Sequence, residues 1–239
     1  MGREIRMKLL AVDTSGPVCG VAVLDGDNVL SEYTARNKNT HSASLMPMIE
    51  HSLDSAGLTL EEMDALAVVT GPGSFTGVRI GVATIKAIAH GSGKPCIPVN
   101  ALEAMAWTAV PSCWEGLVCP LQDARAGQVY AAAFRNGERL MPDMPIMLTE
   151  YLDKVREMKA ESCLFTGDGA AAYQETIQKF MGDEAVFSVG PFSYLRPSIA
   201  GLLAQKNGVY TDYLHLKETY LRPPNAEKNK KLLEAMRHG

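Results

Sequence analysis

Between the apolar run Ala65 to Thr70 and the apolar stretch that starts at Val78 stands Gly71-Pro72-Gly73-Ser74-Phe75-Thr76-Gly77-Val78-Arg79-Ile80-Gly81. The run before it reads as a short buried strand. The residues after it, Val78 to His90, read as a helix stopped by Gly91. A glycine-rich loop between a strand and a helix is a place where backbone N–H groups and the helix dipole converge on an anion. The segment is not a Walker loop, because the spacing of Gly71 and Gly77 is wrong and no Lys-Ser/Thr pair follows. Nor is it a nucleophile elbow, because Phe75, not a serine, stands at the centre of Gly73 to Gly77. Spacing leaves two readings: an anion cradle, or a tight turn whose glycines let the helix pack closely on the sheet.

Outward from this segment the chain punctuates itself clearly. Lys8 to Val12 is an apolar run ending in Asp13-Thr14-Ser15, and Gly20 to Leu24 and Val29 to Thr34 flank the turn Asp25-Gly26-Asp27-Asn28 as a hairpin. His41 to Ala56 is a predicted helix closed by Gly57, Thr59 and Glu62 have capping-box spacing, and Cys96 to Val99 and Ala101 to Ala109 are a strand and a helix. The order then restarts. Leu117 to Leu121 leads to Asp123, and Val129 to Phe134 pairs across Asn136-Gly137 with Arg139 to Met141. Thr149 caps a helix reaching Lys159, Cys163 to Thr166 is a strand, and Gly167-Asp168-Gly169, where a turn is expected, opens the helix Ala170 to Phe180. The halves repeat in topology and not in sequence. Strands alternating with helices, with a hairpin opening each half, predict an α/β protein with mixed sheets and a boundary near Pro111 to Gly116.

At 239 residues, 46% hydrophobic and 21% charged, the chain has core-forming material for two modest units. The net charge of −4 disfavours strong tRNA or DNA binding by this chain alone. Its five cysteines are scattered without metal-ligand spacing, no apolar leader or membrane-length window is visible, and a cytoplasmic location without membrane contact is expected. The five histidines form no metal-spaced pair.

The glycine-rich segment, together with Leu10-Ala11-Val12-Asp13-Thr14-Ser15, His41-Ser42, Asp123-Ala124-Arg125 with Gln128-Val129-Tyr130, and Tyr220-Leu221-Arg222, resembles the TsaB (YeaZ) family over Met7 to Arg222. Gln128 stands where that family has Glu. The resemblance implies two actin-like lobes of the ASKHA, ribonuclease H-like kind. Residues 1–110 would be a partner-binding lobe, 111–222 a second lobe and 223–239 a helix or tail. It also implies a role in making threonylcarbamoyladenosine on tRNA, as a non-catalytic partner of the transferase TsaD with the ATPase TsaE. The chain would form a homodimer when alone, contact tRNA mainly through the complex and have no cofactor of its own, nucleotide and metal lying on TsaD or at the shared interface. TsaD carries V-N-H-x-x-x-H, two imidazoles one helical turn apart, where this chain reads Val99-Asn100-Ala101-Leu102-Glu103-Ala104-Met105. Ala101 has no ligand atom and Met105 only a soft thioether.

Three questions stay open in the residues. Asp13, Thr14, Ser15, Gly71, Gly73, Ser74 and Asp123 would form a vestigial phosphate site, or each Asp would simply accept turn N–H groups. An actin-fold ATPase or phosphotransferase using Asp13 and Asp123 is the alternative function. A metalloprotease lacks its ligands, since no H-E-x-x-H occurs. Finally, the helix from Val78 is apolar almost all round and its neighbour has a wide apolar arc. Either the two cover each other, or His41, Leu45, Met46, Ile49, Arg79, Ile80, Val82 and Ala83 form half of a bundle completed by a partner, as the resemblance implies. His41 could equally be a helix-start hydrogen-bonding residue.

Overall fold

A computed structural model describes residues 6–36, 40–110 and 114–222. The first half runs β1 (Lys8–Asp13), β2 (Cys19–Asp25), β3 (Asn28–Ala35), α1 (His41–Ala56), β4 (Ala65–Gly71), α2 (Phe75–Ser92), β5 (Cys96–Asn100) and α3 (Ala101–Ala109). The second runs β6 (Leu117–Asp123), β7 (Gln128–Arg135), β8 (Glu138–Met147), α4 (Leu148–Glu157), β9 (Cys163–Thr166), α5 (Asp168–Ala172), α6 (Gln174–Met181), β10 (Ala185–Phe187) and α7 (Pro197–Asn207). Each half forms a five-stranded sheet, in the orders β3-β2-β1-β4-β5 and β8-β7-β6-β9-β10. In both, an antiparallel hairpin flanks the first strand on one side and parallel strands flank it on the other. The topological repeat expected from the sequence is therefore present strand for strand.

Burial on both faces explains why the central strands read as unbroken apolar runs. Leu10, Val12, Val21, Leu66 and Val68 point toward α1 and α2, while their neighbours Leu9, Ala11, Ala22, Ala67 and Val69 pack with α3 and α7. In the second sheet Leu117, Cys119, Leu121 and Val129 pack under α4 and α6, and Val118, Ala132 and Phe134 face Leu102 and Ala106 of α3. Helix α3 thus lies between the sheets. That position, not any property of α2, produces the helix buried nearly all round.

Several boundaries moved. Helix α2 starts at Phe75, with Ser74 as its N-cap, and passes through Gly91 to end on Gly93 at φ 71. A helix-interior glycine costs only about 1 kcal/mol, so Gly91 lacks the power to stop it. The helix expected over Ala170 to Phe180 is broken at Tyr173 into α5 and α6, and β8 extends to Met147. The capping box at Thr59 and Glu62 forms as expected. The division at residue 110 is crossed by the chain: α7 returns to pack on the first sheet, where Glu32 holds its N-terminus. Residues 223–239, for which a helix or tail was expected, lie outside the described residues, as do 111–113 at the boundary.

The Glu32 contact gives a test. Its carboxylate accepts from the Arg196 guanidinium, from Ser198 Oγ–H at 2.7 Å and from the Ser198 backbone N–H at 3.0 Å. Burial opposes its charge, but the bonds from Arg196 and Ser198 outweigh that and hold the carboxyl below its ordinary 4.5. A depressed carboxyl pKa contributes stability above the unfolded value that is lost as pH falls through the folded one. Glu32→Ala should therefore lower stability by about 2 kcal/mol at pH 7, and the gap from the parent should close as pH drops well below 4.5 in urea-unfolding curves. A gap unchanged at low pH would remove the ionic account.

Candidate functional site

The end of β1, the end of β6 and the segment just after β9 line one space between the two sheets, the location where open α/β sheets usually bind ligands. At the tip of β1, Asp13 and Ser15 are buried, and Asp13 Oδ1 accepts the Ser15 backbone N–H at 2.8 Å. Burial pushes the Asp13 carboxyl up to about 6, against the lowering effect of the Ser15 bonds and the His41 charge. His41 Nε2–H donates to the Gly16 carbonyl at 3.0 Å, tying the first residue of α1 to the loop after β1.

The glycine-rich loop turns toward protein here. Ser74 N–H donates to the Ser15 carbonyl at 2.8 Å, Thr14 Oγ1–H donates to the Gly77 carbonyl at 2.7 Å, and Gly77 N–H donates to Ser74 Oγ. A Cβ on Gly73 would run into the Ser15 carbonyl oxygen, and one on Gly77 into that of Thr14. The glycines serve close approach of α2 to the end of β1, the packing reading of the segment. Gly71 is buried under Thr219, whose N–H donates to the Thr70 carbonyl at 2.7 Å.

Asp123 occupies the place in the second lobe that Asp13 has in the first, but its Oδ1 is spent on the Arg125 N–H at 2.8 Å and the Tyr173 hydroxyl at 3.1 Å. Asp13 and Asp123 thus each accept the N–H two residues on, the turn reading of the two carboxylates, and the carboxylate that lines the interlobe space together with Asp13 is Asp168. Burial, and next to it the Asp123 charge, raise Asp168 to about 6. Asp168, expected in a turn, is the first residue of α5. The missed signal was the repeat itself, because Gly167-Asp168-Gly169 stands at the end of β9 much as Gly71-Pro72-Gly73 stands at the end of β4.

That space is bounded by Asp13, Ser15, Gly16, Met105, Gln122 and Asp168 among others and has a volume of about 10 Å³, room for one water-sized particle. A nucleotide does not fit it in this arrangement. Ala101 and Met105, one turn apart on α3, are both buried, and the Met105 sulfur packs where a Cβ on Gly167 would stand.

On the outer side, Met46 is 42% exposed, Arg79 and Ala83 are exposed and Ile80 is half-buried. Leu45, Ile49 and Val82 belong to the core beneath α1 and α2, which withdraws them from the expected partner surface. Their side chains fall on the sheet-facing side of each helix, where no partner can reach them. Arg79 lies over the Phe75 ring at 4.4 Å, and Phe75 meets Tyr220 at 5.0 Å. Arg222 donates to the Ala124 carbonyl at 3.1 Å, which joins the C-terminal strap to the second lobe.

Two such sheets with α3 between them and aspartates at the strand tips define a two-lobed actin-like protein. The chain belongs to the TsaB family. A TsaB protein of Bacillus subtilis is 33% identical over 222 residues, covering 89% of this chain and 96% of its own. One of Haemophilus influenzae is 41% identical over 185 residues, covering 72% and 77%. The model of the family described as TsaD, tRNA N6-adenosine threonylcarbamoyltransferase, matches residues 28–209. A solved Pseudomonas aeruginosa structure, described as similar to the peptidase YeaZ, superposes with TM-score 0.72 at 25% identity, covering 90% of this chain and all of that one.

Proposed function

We propose that this chain takes part in threonylcarbamoyladenosine biosynthesis as a non-catalytic subunit. It pairs with TsaD through the exposed strip of α1 and α2, with TsaE joining the complex and tRNA bound mainly by the assembly. The reading rests on family membership and on one observation: the positions that carry imidazoles in TsaD are Ala101 and Met105 here, both packed into the interlobe joint. Neither side chain has room or chemistry for a catalytic metal. The metal and nucleotide of the transfer reaction would then be supplied by TsaD or the shared interface. This chain would hold TsaD in its active arrangement, and a cytoplasmic location follows from that role. Without TsaD the same strip would pair two copies of the chain.

The rival reading, a nucleotide-dependent enzyme, needs the interlobe space to open far beyond its present size. The peptidase description of the Pseudomonas relative finds no H-E-x-x-H sequence here. Nucleoside analysis of bulk tRNA from cells depleted of this protein decides the pathway: threonylcarbamoyladenosine should vanish and unmodified adenosine rise at that position. Normal levels of the modification would sink the proposal. ATP turnover by the isolated chain would favour the rival.

A further inference from the structure

The chain distributes its charge unevenly. Its net charge is −4, yet from Arg222 onward the sequence sets Arg222, Lys228, Lys230, Lys231 and Arg237 against only Glu227 and Glu234. Such an asymmetry points to an anionic partner. The strap that leads to Arg222 is fixed along the lobes. Thr219 is bonded to the Thr70 carbonyl, and Tyr220 stacks on Phe75, itself covered by Arg79. The Arg222 guanidinium then donates to the Ala124 carbonyl at 3.1 Å and lies 6.0 Å from the centre of the Tyr130 ring. Arg125, next to Ala124 in the β6–β7 loop, has a side chain 91% exposed. Two arginines therefore meet at one loop, where the basic stretch begins.

The loop aims Arg125 outward at a cost that its turn does not require. Gln128 N–H donates to the Arg125 carbonyl at 3.1 Å, so Ala126 and Gly127 are the two central residues of the turn. Their φ values of 54 and 74 are those a tight hairpin turn asks for. Arg125 lies outside that pair and is nevertheless left-handed, at φ 68, which strains any residue with a Cβ. The Asp123 carboxylate holds it there by accepting its N–H at 2.8 Å. The Arg125 guanidinium lies 3.6 Å from the other Asp123 oxygen, a long and exposed pairing that contributes little and yields readily to another anion.

We propose, resting on the tRNA pathway read above, that Arg125 and Arg222 contact the phosphate backbone of the tRNA. Guanidinium groups present forked donors that match phosphate oxygens. The rings of Tyr130 and partly exposed Tyr220 stand beside them, and aromatic faces stack on the unpaired bases of RNA loops. The acidic balance of the rest of the chain keeps binding by this subunit weak and confines it to this edge. The contact therefore orients the RNA on the assembly and reads no sequence.

The test is fluorescence-anisotropy titration of labelled, unmodified tRNA with the full chain alone, from about 25 to about 200 mM KCl. Binding should be weak and should fall steeply with salt. Arg125→Gln and Arg222→Gln should each weaken it at least about threefold and lower the slope of log Kd against log salt by about 1. Lys154→Gln, on the exposed side of α4, should change neither. If Arg222→Gln loosens the strap and lowers the melting temperature, Arg125→Gln alone decides, since its exposed side chain supports no other element. Parental affinity and slope in both variants would overturn the proposal and put the RNA elsewhere. Absence of binding at the lowest salt would also overturn it and leave the two arginines to an acidic protein. Neither result touches the pathway reading, which fails only if the modification survives depletion of the chain.

Discussion

Val82→Asp should leave no folded protein, whereas Ala83→Glu, one residue further along the same helix, should fold normally and fail to pair. Val82 is 0% exposed and packs with Val12, Val68 and Ile85 beneath α2. An unpaired carboxylate there costs more than about 4 kcal/mol, a large share of a domain's stability. Ala83 points outward, and glutamate is a good helix former, so the change should stay within about 0.5 kcal/mol of the parent. If the strip formed by Met46, Ile80 and Ala83 is the contact with TsaD, a charged side chain at its centre should weaken pairing at least a hundredfold by size-exclusion or calorimetric titration. Leu45→Asp and Ile49→Asp should behave like Val82→Asp. Full co-purification of Ala83→Glu with TsaD would move the interface off this strip.

The second large effect is expected at Gly77. Gly77→Val should cost more than about 3 kcal/mol, because the new Cβ meets the Thr14 carbonyl oxygen. Neither side can yield easily. Thr14 is buried, and its hydroxyl is bonded back to the Gly77 carbonyl at 2.7 Å, so helix and strand end are tied at the collision point. Gly91→Ala on the same helix is the control. A Cβ there meets nothing, and removing a helix-interior glycine should stabilise the chain by about 0.5–1 kcal/mol. The two urea midpoints should therefore move in opposite directions. A mild Gly77→Val would mean that the segment's glycines are not there for packing.

Periodicity and punctuation were enough to read most elements of both halves. Apolar runs of strand length bounded by Gly, Asp and Asn are local signals, and so are the hairpin turns at Gly26 and Asn136-Gly137. The segment Ala185 to Asn207 was not read. Strand β10 is three residues long, and α7 lacks a clear amphipathic stripe, because Ala200, Leu203 and Ala204 meet one sheet face while the rest of the helix nestles near α3. The break at Tyr173 was equally hidden. There the α5 backbone closes on Gly169 while the Tyr173 hydroxyl reaches to Asp123, a residue fifty positions away.

By itself the amino-acid sequence determined the α/β class, the doubled topology and the family, because each depends on local patterns or on motifs that keep their order along the chain. It also determined that Ala101 and Met105 lack metal-binding chemistry, since that is a matter of side-chain identity. Only the tertiary structure decided what the glycine-rich segment does, which aspartate stands across from Asp13, and which residues of α1 and α2 look outward. Those outcomes depend on where separate strand ends meet and on which side of a helix another element covers. Apolar residues on both sides of a helix look alike in sequence, and only the packed sheets showed that Val82 faces inward and Ala83 does not.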